Sequence, residues 1–271
     1  MKTAFIGGGN MATALIAGLV KDGAADTRVH VIDPNPEALE RLAAHYGATT
    51  AGSIDAAVAA VDVIVLAVKP QQMRDVAQAL APHLANGPLV LSIAAGIRGA
   101  DLSRWLGGHG AVVRAMPNTP ALIGMGITGL VALGGVNAEQ RAAADSVLRA
   151  VGQTVWLDDE TLIDPVTAVS GSGPAYVFYF LEAMEAAALD MGLSAQQGRE
   201  LALATFAGAT QLAAQSDESL DVLRQRVTSK GGTTHAAITS MESAGVKAAI
   251  VAAMKAAAAR GRELGDELGK D

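Results

Sequence analysis

Two stretches of the chain carry residue types at spacings that could do chemistry. The first is Gly7-Gly8-Gly9-Asn10-Met11-Ala12, which fits the pattern G-x-G-x-x-(G/A). Gly7 permits a tight turn, Gly9 lets backbone approach a pyrophosphate, and Ala12 lets the next helix pack closely on the preceding strand. The N–H groups of a helix opening at Asn10 and Met11 then face the phosphates with the positive end of its dipole. The second stretch is Val227 to Ile238, VTSKGGTTHAAI. Here the hydroxyls of Ser229, Thr233 and Thr234 flank Gly231 and Gly232, glycines that free backbone N–H groups to point outward. Thr233 or Thr234 is placed to cap the helix that follows. So many donors within six residues suit a carboxylate or a phosphate. His235, just inside that helix, reads as structural, and Lys230 as a solvated turn residue that adds positive potential.

Three further sites belong with the glycine turn. Asp33 closes the second strand about twenty residues on, where an acid accepts from the adenosine ribose hydroxyls of a dinucleotide. Facing a 2′-phosphate, it would be a like charge, worth about 4 kcal/mol at ~4 Å and an effective dielectric near ~20, before rotation, water and salt reduce it. These residues favour NADH at least as much as NADPH, with Asn35 as a donor to a phosphate. Either NADPH or NADH is expected as cofactor. Ala67-Val68-Lys69-Pro70 ends a strand at the crevice a dinucleotide crosses; Lys69 alone reads equally well as the end of a strand stopped by proline, and the backbone of the four is expected to wall the nicotinamide or ribose site. Met116-Pro117-Asn118-Thr119-Pro120 is a second such wall, stiffened by two prolines, with Asn118 and Thr119 as polar handles.

The elements that must position these residues follow two grammars. Up to about residue 160, short β-rich runs alternate with helical ones. Strands are expected at Thr3–Ile6, Arg28–Ile32, Asp62–Val68, Leu89–Ile93, Ala111–Ala115 and Val155–Leu157, with helices at Met11–Val20 and Glu37–His45. The continuous apolar run DVIVLAV marks a parallel strand buried on both faces. Such alternation is the pattern of an α/β fold, a doubly wound parallel sheet of the Rossmann type over residues 1–160. Beyond about Asp164 the strands stop. Residues 174–191, 195–214, 219–228, 233–243 and 246–265 read as helices, so 161–271 is expected to be all-helical. Val177 to Leu181 is apolar nearly all round, which predicts a helix buried inside its domain or between subunits.

Composition narrows the function classes. The 271 residues suffice for two modest cores, and 51% are apolar but only 3% aromatic, so small aliphatics do the packing. A net charge of −7 without a basic patch argues against a nucleic-acid partner. There is no cysteine, which removes disulfides, thiolate nucleophiles and thiolate metal sites, and no metal site is expected. The opening MKTAFIGGGN has no apolar signal core, and the uncharged run Pro165 to Leu181 is broken by Ser170-Gly171-Ser172-Gly173-Pro174. No membrane partner and a cytoplasmic location are expected.

The blocks FIGGGNMATALIAGL, AVKPQ, VRAMPNTP, SGSGPAYVFYFLEAM and VTSKGGTTHAAITSME together resemble the pyrroline-5-carboxylate reductases over the whole length. The last block is the most specific. The resemblance implies a Rossmann domain followed by an all-α dimerisation domain, with homodimers that in this family often assemble into decamers. It implies hydride transfer from NAD(P)H to the imine carbon of 1-pyrroline-5-carboxylate, giving L-proline, with substrate lying between nicotinamide and the Gly-Gly-Thr-Thr turn. By position, Ser229 and the N–H groups of Gly232 and Thr233 would hold the substrate carboxylate, beside Gly231. Thr234 would bond the ring nitrogen. Asp33 departs from the smaller or neutral residue of NADPH-preferring relatives. The rival readings are a related cyclic-imine reductase, a β-hydroxyacid dehydrogenase and a non-catalytic dinucleotide sensor. The second needs a catalytic lysine in a Gly-x-x-Gly-x-x-x-Lys setting, which none of Lys230, Lys247, Lys255 and Lys270 has. The third would not need the donors of Ser229–Thr234.

Overall fold

The computed structural model describes residues 1–21 and 27–270. Its chain forms two compact units, residues 1–173 with 256–271, and residues 174–255. The change of grammar near residue 160 therefore precedes the first unit's edge, and the end of the chain returns to that unit.

The first unit is one sheet of eight strands: β1 (Lys2–Ile6), β2 (Arg28–Ile32), β3 (Thr49–Ala51), β4 (Val63–Leu66), β5 (Leu89–Ser92), β6 (Val112–Met116), β7 (Gly126–Ala132) and β8 (Gly152–Trp156). Their spatial order is β3-β2-β1-β4-β5-β6-β7-β8. The first six have the dinucleotide-fold order, and the direction of winding reverses beside β1, between β1 and β4. The sheet is not wholly parallel, as the strand–helix alternation led one to expect. β7 runs antiparallel to β6, pairing Ala115 with Leu130, and β8 then runs parallel to β7.

Alternate residues of the strands feed two cores, as the two-residue period of a strand requires. Phe5, Val63 and Val65 join Leu15, Ile16 and Leu148 on one face. Ile6, Ile64 and Leu66 join Met73, Leu80 and Leu102 on the other. The covering helices are α1 (Asn10–Lys21), α2 (Pro36–Tyr46), α3 (Met73–Leu80), α4 (Gly99–Trp105) and α5 (Ala138–Arg149). Asn137 and Gln140 form a capping box at the start of α5. A short α6 (Ile163–Val166) runs into a π-helical turn, Thr167–Gly171, where the Ser172 N–H donates to the Thr167 carbonyl at 2.8 Å.

Helices α7 (Gly173–Asp190), α8 (Ala195–Ala214), α9 (Leu220–Arg226), α10 (Thr233–Ser243) and α11 (Val246–Leu268) follow, matching the helical segments read from sequence to within a few residues. The start of α7 is not buried within its unit. Phe180 meets Phe206 with ring centroids 6.4 Å apart, but Phe178 is 59% and Tyr179 74% exposed. Of the two alternatives for that apolar run, burial inside the domain is overturned. Among the described residues no single helix is both long and apolar enough to cross a membrane; α10 and α11, bent by 53°, meet that length and composition test only as a pair.

Candidate active site

Gly7 lies at the switch point and is irreplaceable there on two grounds. Its φ is +104°, and a Cβ would stand 2.6 Å from the carbonyl oxygen of Ala67. Its N–H donates to the Ile32 carbonyl at 2.8 Å, so the turn is tied to β2 as well as to the end of β4. A Cβ on Gly9, by contrast, would meet nothing within 4 Å. The backbone of Gly9 thus faces open space, as a site for an approaching phosphate requires. α1 begins immediately after, with Asn10 and Met11 in its first turn and no acid there to repel an anion. Ala12 is buried, which is the close helix–strand contact expected of the third small residue.

Asp33, just past β2, is held by two backbone donors. The Gly8 N–H donates to its Oδ2 at 2.7 Å and the Asn35 N–H to its Oδ1 at 2.8 Å. Gly8, the variable position of the motif, was not singled out by its sequence, yet its N–H orients the acid. The triple glycine was the available signal, since a Cβ on Gly8 would come within 3.1 Å of Leu42 Cδ1 and 3.4 Å of Asp33 Oδ2. The side-chain oxygen of Asn35 accepts from the Glu37 N–H at 3.0 Å and caps α2. That oxygen is committed to the fold, which leaves the amide nitrogen as the donor group.

Ala67 and Val68 are half-buried beside the glycine turn, whereas Lys69 is exposed and extended, ahead of a 3-10 turn opened by Pro70. Asn118 is buried and works inside the fold. Its Oδ1 accepts from the Ile127 N–H at 3.0 Å and its Nδ2 donates to the Ser170 carbonyl at 3.2 Å. The amide thereby fixes the Met116–Pro120 loop to β7 and to the π-helical turn, and the exposed residue of that loop is Thr119. Arg114, one strand residue pair earlier, is buried and ion-paired to Glu160 at 2.6 Å; the same carboxylate oxygen takes the Gly99 N–H at 2.6 Å.

The second constellation lies wholly in the second unit. α9 ends at Arg226, and the Thr228 hydroxyl donates to the Arg224 carbonyl at 2.6 Å. Gly231 has φ +75°, and the Gly232 N–H closes the turn by donating to the Ser229 carbonyl at 3.0 Å. The N-cap of α10 is Gly232, with no side-chain cap bond. Neither threonine caps the helix, contrary to the expectation. Thr233 and Thr234 are its first two helical residues, so their hydroxyls are not spent on capping. The Gly232 N–H, expected to face a carboxylate, is engaged in the turn. The N–H groups that helix geometry leaves unpaired are those of Thr233, Thr234 and His235. Thr234 is half-buried, while Ser229, Gly231, Thr233 and His235 are exposed. Arg224 pairs with Glu242 at 3.4 Å, and Arg226 with Glu218, so both nearby guanidinium groups already face carboxylates.

A glycine turn cradled by β4, a phosphate-facing helix start and an acid at the end of β2 define a dinucleotide-binding oxidoreductase, and the residues present fit that cofactor. Comparison with known proteins agrees and narrows the class. Residues 2–96 match the family described as NADP oxidoreductase coenzyme F420-dependent, and residues 160–264 match pyrroline-5-carboxylate reductase dimerisation. The pyrroline-5-carboxylate reductase of Pseudomonas aeruginosa is 47% identical over 99% of this chain and 98% of its own. The structure of a pyrroline-5-carboxylate reductase from Coxiella burnetii superposes with a TM-score of 0.91 at 38% identity, covering 97% of each chain. That of the Plasmodium falciparum enzyme, with NADP bound, gives 0.87 at 27% identity over 98% of each. The chain belongs to the pyrroline-5-carboxylate reductase family, NAD(P)H-dependent oxidoreductases acting on a C=N bond.

Proposed function

We propose that this chain reduces 1-pyrroline-5-carboxylate to L-proline with the site residues named above. The observation that carries the assignment of roles is the uncapped start of α10, where hydroxyls and N–H groups are left for a ligand. The N–H groups of Thr233 and Thr234, together with the Ser229 hydroxyl, hold the substrate carboxylate, with Gly231 and Gly232 shaping the turn. Thr234 orients the ring nitrogen by a hydrogen bond. Its hydroxyl is too weak an acid to protonate an imine unaided, so it relays a proton from water or steadies an imine that arrives protonated. In unit one, Gly7 and Gly9 with the helix start at Asn10 and Met11 receive the pyrophosphate, and Asp33 the adenosine ribose. The backbone of Ala67–Pro70 walls the ribose or nicotinamide. Asn118 positions the neighbouring loop through its amide. When bound, the reduced nicotinamide supplies the hydride; the protein supplies orientation and electrostatics.

Assembly of dimers into decamers and a cytoplasmic location are parts of the same proposal, tested by sedimentation and by cell fractionation. The reaction is tested by oxidation of NADH and NADPH in the presence of 1-pyrroline-5-carboxylate, following proline formation. Thr234→Ala should lower kcat by roughly a hundredfold while leaving dinucleotide affinity unchanged. Unaltered turnover in that variant would reject the role given to Thr234.

A further inference from the structure

A polar cavity of about 240 Å³ lies in the first unit, where the end of α11 meets the segment that enters α6. It shares no residue with the glycine turn or with the Ser229–Thr234 cluster. Gly261 and Gly265, one helical turn apart, leave that side of α11 bare. A Cβ on Gly261 would stand 3.1 Å from Asp164 Oδ1, and one on Gly265 3.1 Å from Arg98 Nε. The charged residues of the lining are Arg98, Arg114, Glu160, Asp164 and Arg262. Two of them are committed to the fold. Arg98 donates to Asp266 Oδ1 at 2.5 Å and to the Arg262 carbonyl at 3.4 Å, which fixes the end of α11. Arg114, buried, donates to Glu160 Oε1 at 2.6 Å, the same oxygen that takes the Gly99 N–H. Three groups are left over. Among the described residues, Glu160 Oε2 accepts no hydrogen bond. Neither the Asp164 carboxylate nor the Arg262 guanidinium has a hydrogen bond or an ion pair within 4.0 Å among those residues; Asp164 reaches Arg98 by charge alone.

One small cavity thus presents two carboxylates with free oxygens and one free guanidinium, beside neighbours that are already paired. That is the complement of a zwitterion: an ammonium between the Glu160 and Asp164 oxygens, and a carboxylate on the Arg262 fork. A dianion would face two like charges, and a simple amine would leave Arg262 unanswered. We infer that this cavity is a binding site for a small zwitterionic α-amino acid, the class to which the product of the reaction belongs. L-Proline matches the charge pattern with its ring ammonium and its carboxylate. Bound there, it would join α11 to the turn at Glu160–Leu162 and to Asp164 of α6. The site stands apart from the chemistry; only the choice of proline as probe rests on the function proposed above.

Calorimetric titration of the full-length protein with L-proline tests it, beside pyrrolidine, which lacks the carboxylate, and cyclopentanecarboxylate, which lacks the ammonium. L-Proline should bind, and each half-ligand should bind more weakly by roughly tenfold or more. Arg262→Gln and Asp164→Asn should each weaken L-proline by roughly tenfold or more, with turnover in proline-free buffer unchanged. Thr234→Ala, at the substrate turn, should keep this binding. Its loss in Thr234→Ala, or an affinity unaltered in both cavity variants, would place proline at the substrate turn and overturn the inference. A half-ligand binding as tightly as L-proline would overturn the zwitterion as the ligand class. A wild type that reduces 1-pyrroline-5-carboxylate yet binds no L-proline overturns the cavity site and leaves the proposed function standing. Arg262-dependent proline binding without turnover does the reverse.

Discussion

The two units that hold the candidate residues are built on opposite terms. The first hides its apolar residues on both faces of a sheet, and its site residues are clamped: Gly7 against Ala67, Asp33 between two N–H groups, Asn118 between Ile127 and Ser170. The second buries little beyond Ala188 and Ala202 and leaves Phe178, Tyr179, Leu201, Leu212 and Met241 exposed. A helical unit of this kind has apolar faces and no core to put them in. Its match to a dimerisation family supplies the reason, since a second copy provides the missing layer. The contrast is between a sheet unit whose core is complete in one chain and a helical unit whose apolar faces are left exposed in one chain.

Two phenylalanines put that contrast to its hardest test. Phe5 is fully buried in β1, and Phe5→Ala should destabilise the protein by about 3–5 kcal/mol. The loss should be the same at every protein concentration. Gly7→Ala comes next. It forces a side chain into a positive φ, at about 1–3 kcal/mol, and into the Ala67 carbonyl. Tm should fall, and the displaced turn should weaken NADH binding by roughly tenfold or more. Native affinity in this variant would mean that the switch point is not the cofactor site. Phe178→Ala should behave differently from both. The side chain is mostly exposed in one chain, so helix content should persist, while light scattering shows dissociation at low protein concentration and Tm rises with concentration. A concentration-independent Tm and an unchanged mass would erase the distinction between the units.

How far the sequence carried depended on whether the deciding contact was local. The glycine turn, the apolar run at Val63–Leu66 and the five helices after α6 were legible because period and spacing alone define them. β7 was not. Its sequence GITGLVA carries glycines that look like loop, but a Cβ on Gly129 would stand 2.7 Å from Val166 Cγ1. Gly129 answers a close approach from a segment far along the chain, which no local pattern reports. β3 is three residues long and mostly exposed, too short for an alternation to show. The same limit applied to the site. Asp33 was recognised by position, whereas its clamp by Gly8 was not. Asn118 was recognised as a polar handle, whereas its partners Ile127 and Ser170 lie beyond the loop. The threonines were read as a cluster able to cap the helix, but one residue of helix phase moved the cap to Gly232.

The smallest effect concerns acid, and it belongs to the self-contained unit. Asp145 on α5 is partly buried, which by itself would raise its pKa. Hydrogen bonds from Thr154 at 2.6 Å, Arg149 at 2.5 Å and Trp156 at 3.1 Å, with the charge of Arg149, outweigh that and hold it below its ordinary value of 3.8. Arg141 stacks 3.8 Å over the Trp156 ring, completing a latch between α5 and β8. A carboxylate with a depressed pKa stabilises the fold fully above its ordinary value, and that contribution is lost as pH falls through the lower, folded value. Wild type should therefore lose stability as pH falls through and below 3.8 more steeply than Asp145→Asn, which has no proton to take up. Denaturant melts at pH 7 and across that window measure the difference. Parallel curves would show that this latch holds β8 by packing alone. A difference that varied with protein concentration would move the acid sensitivity out of the first unit and into the dimer.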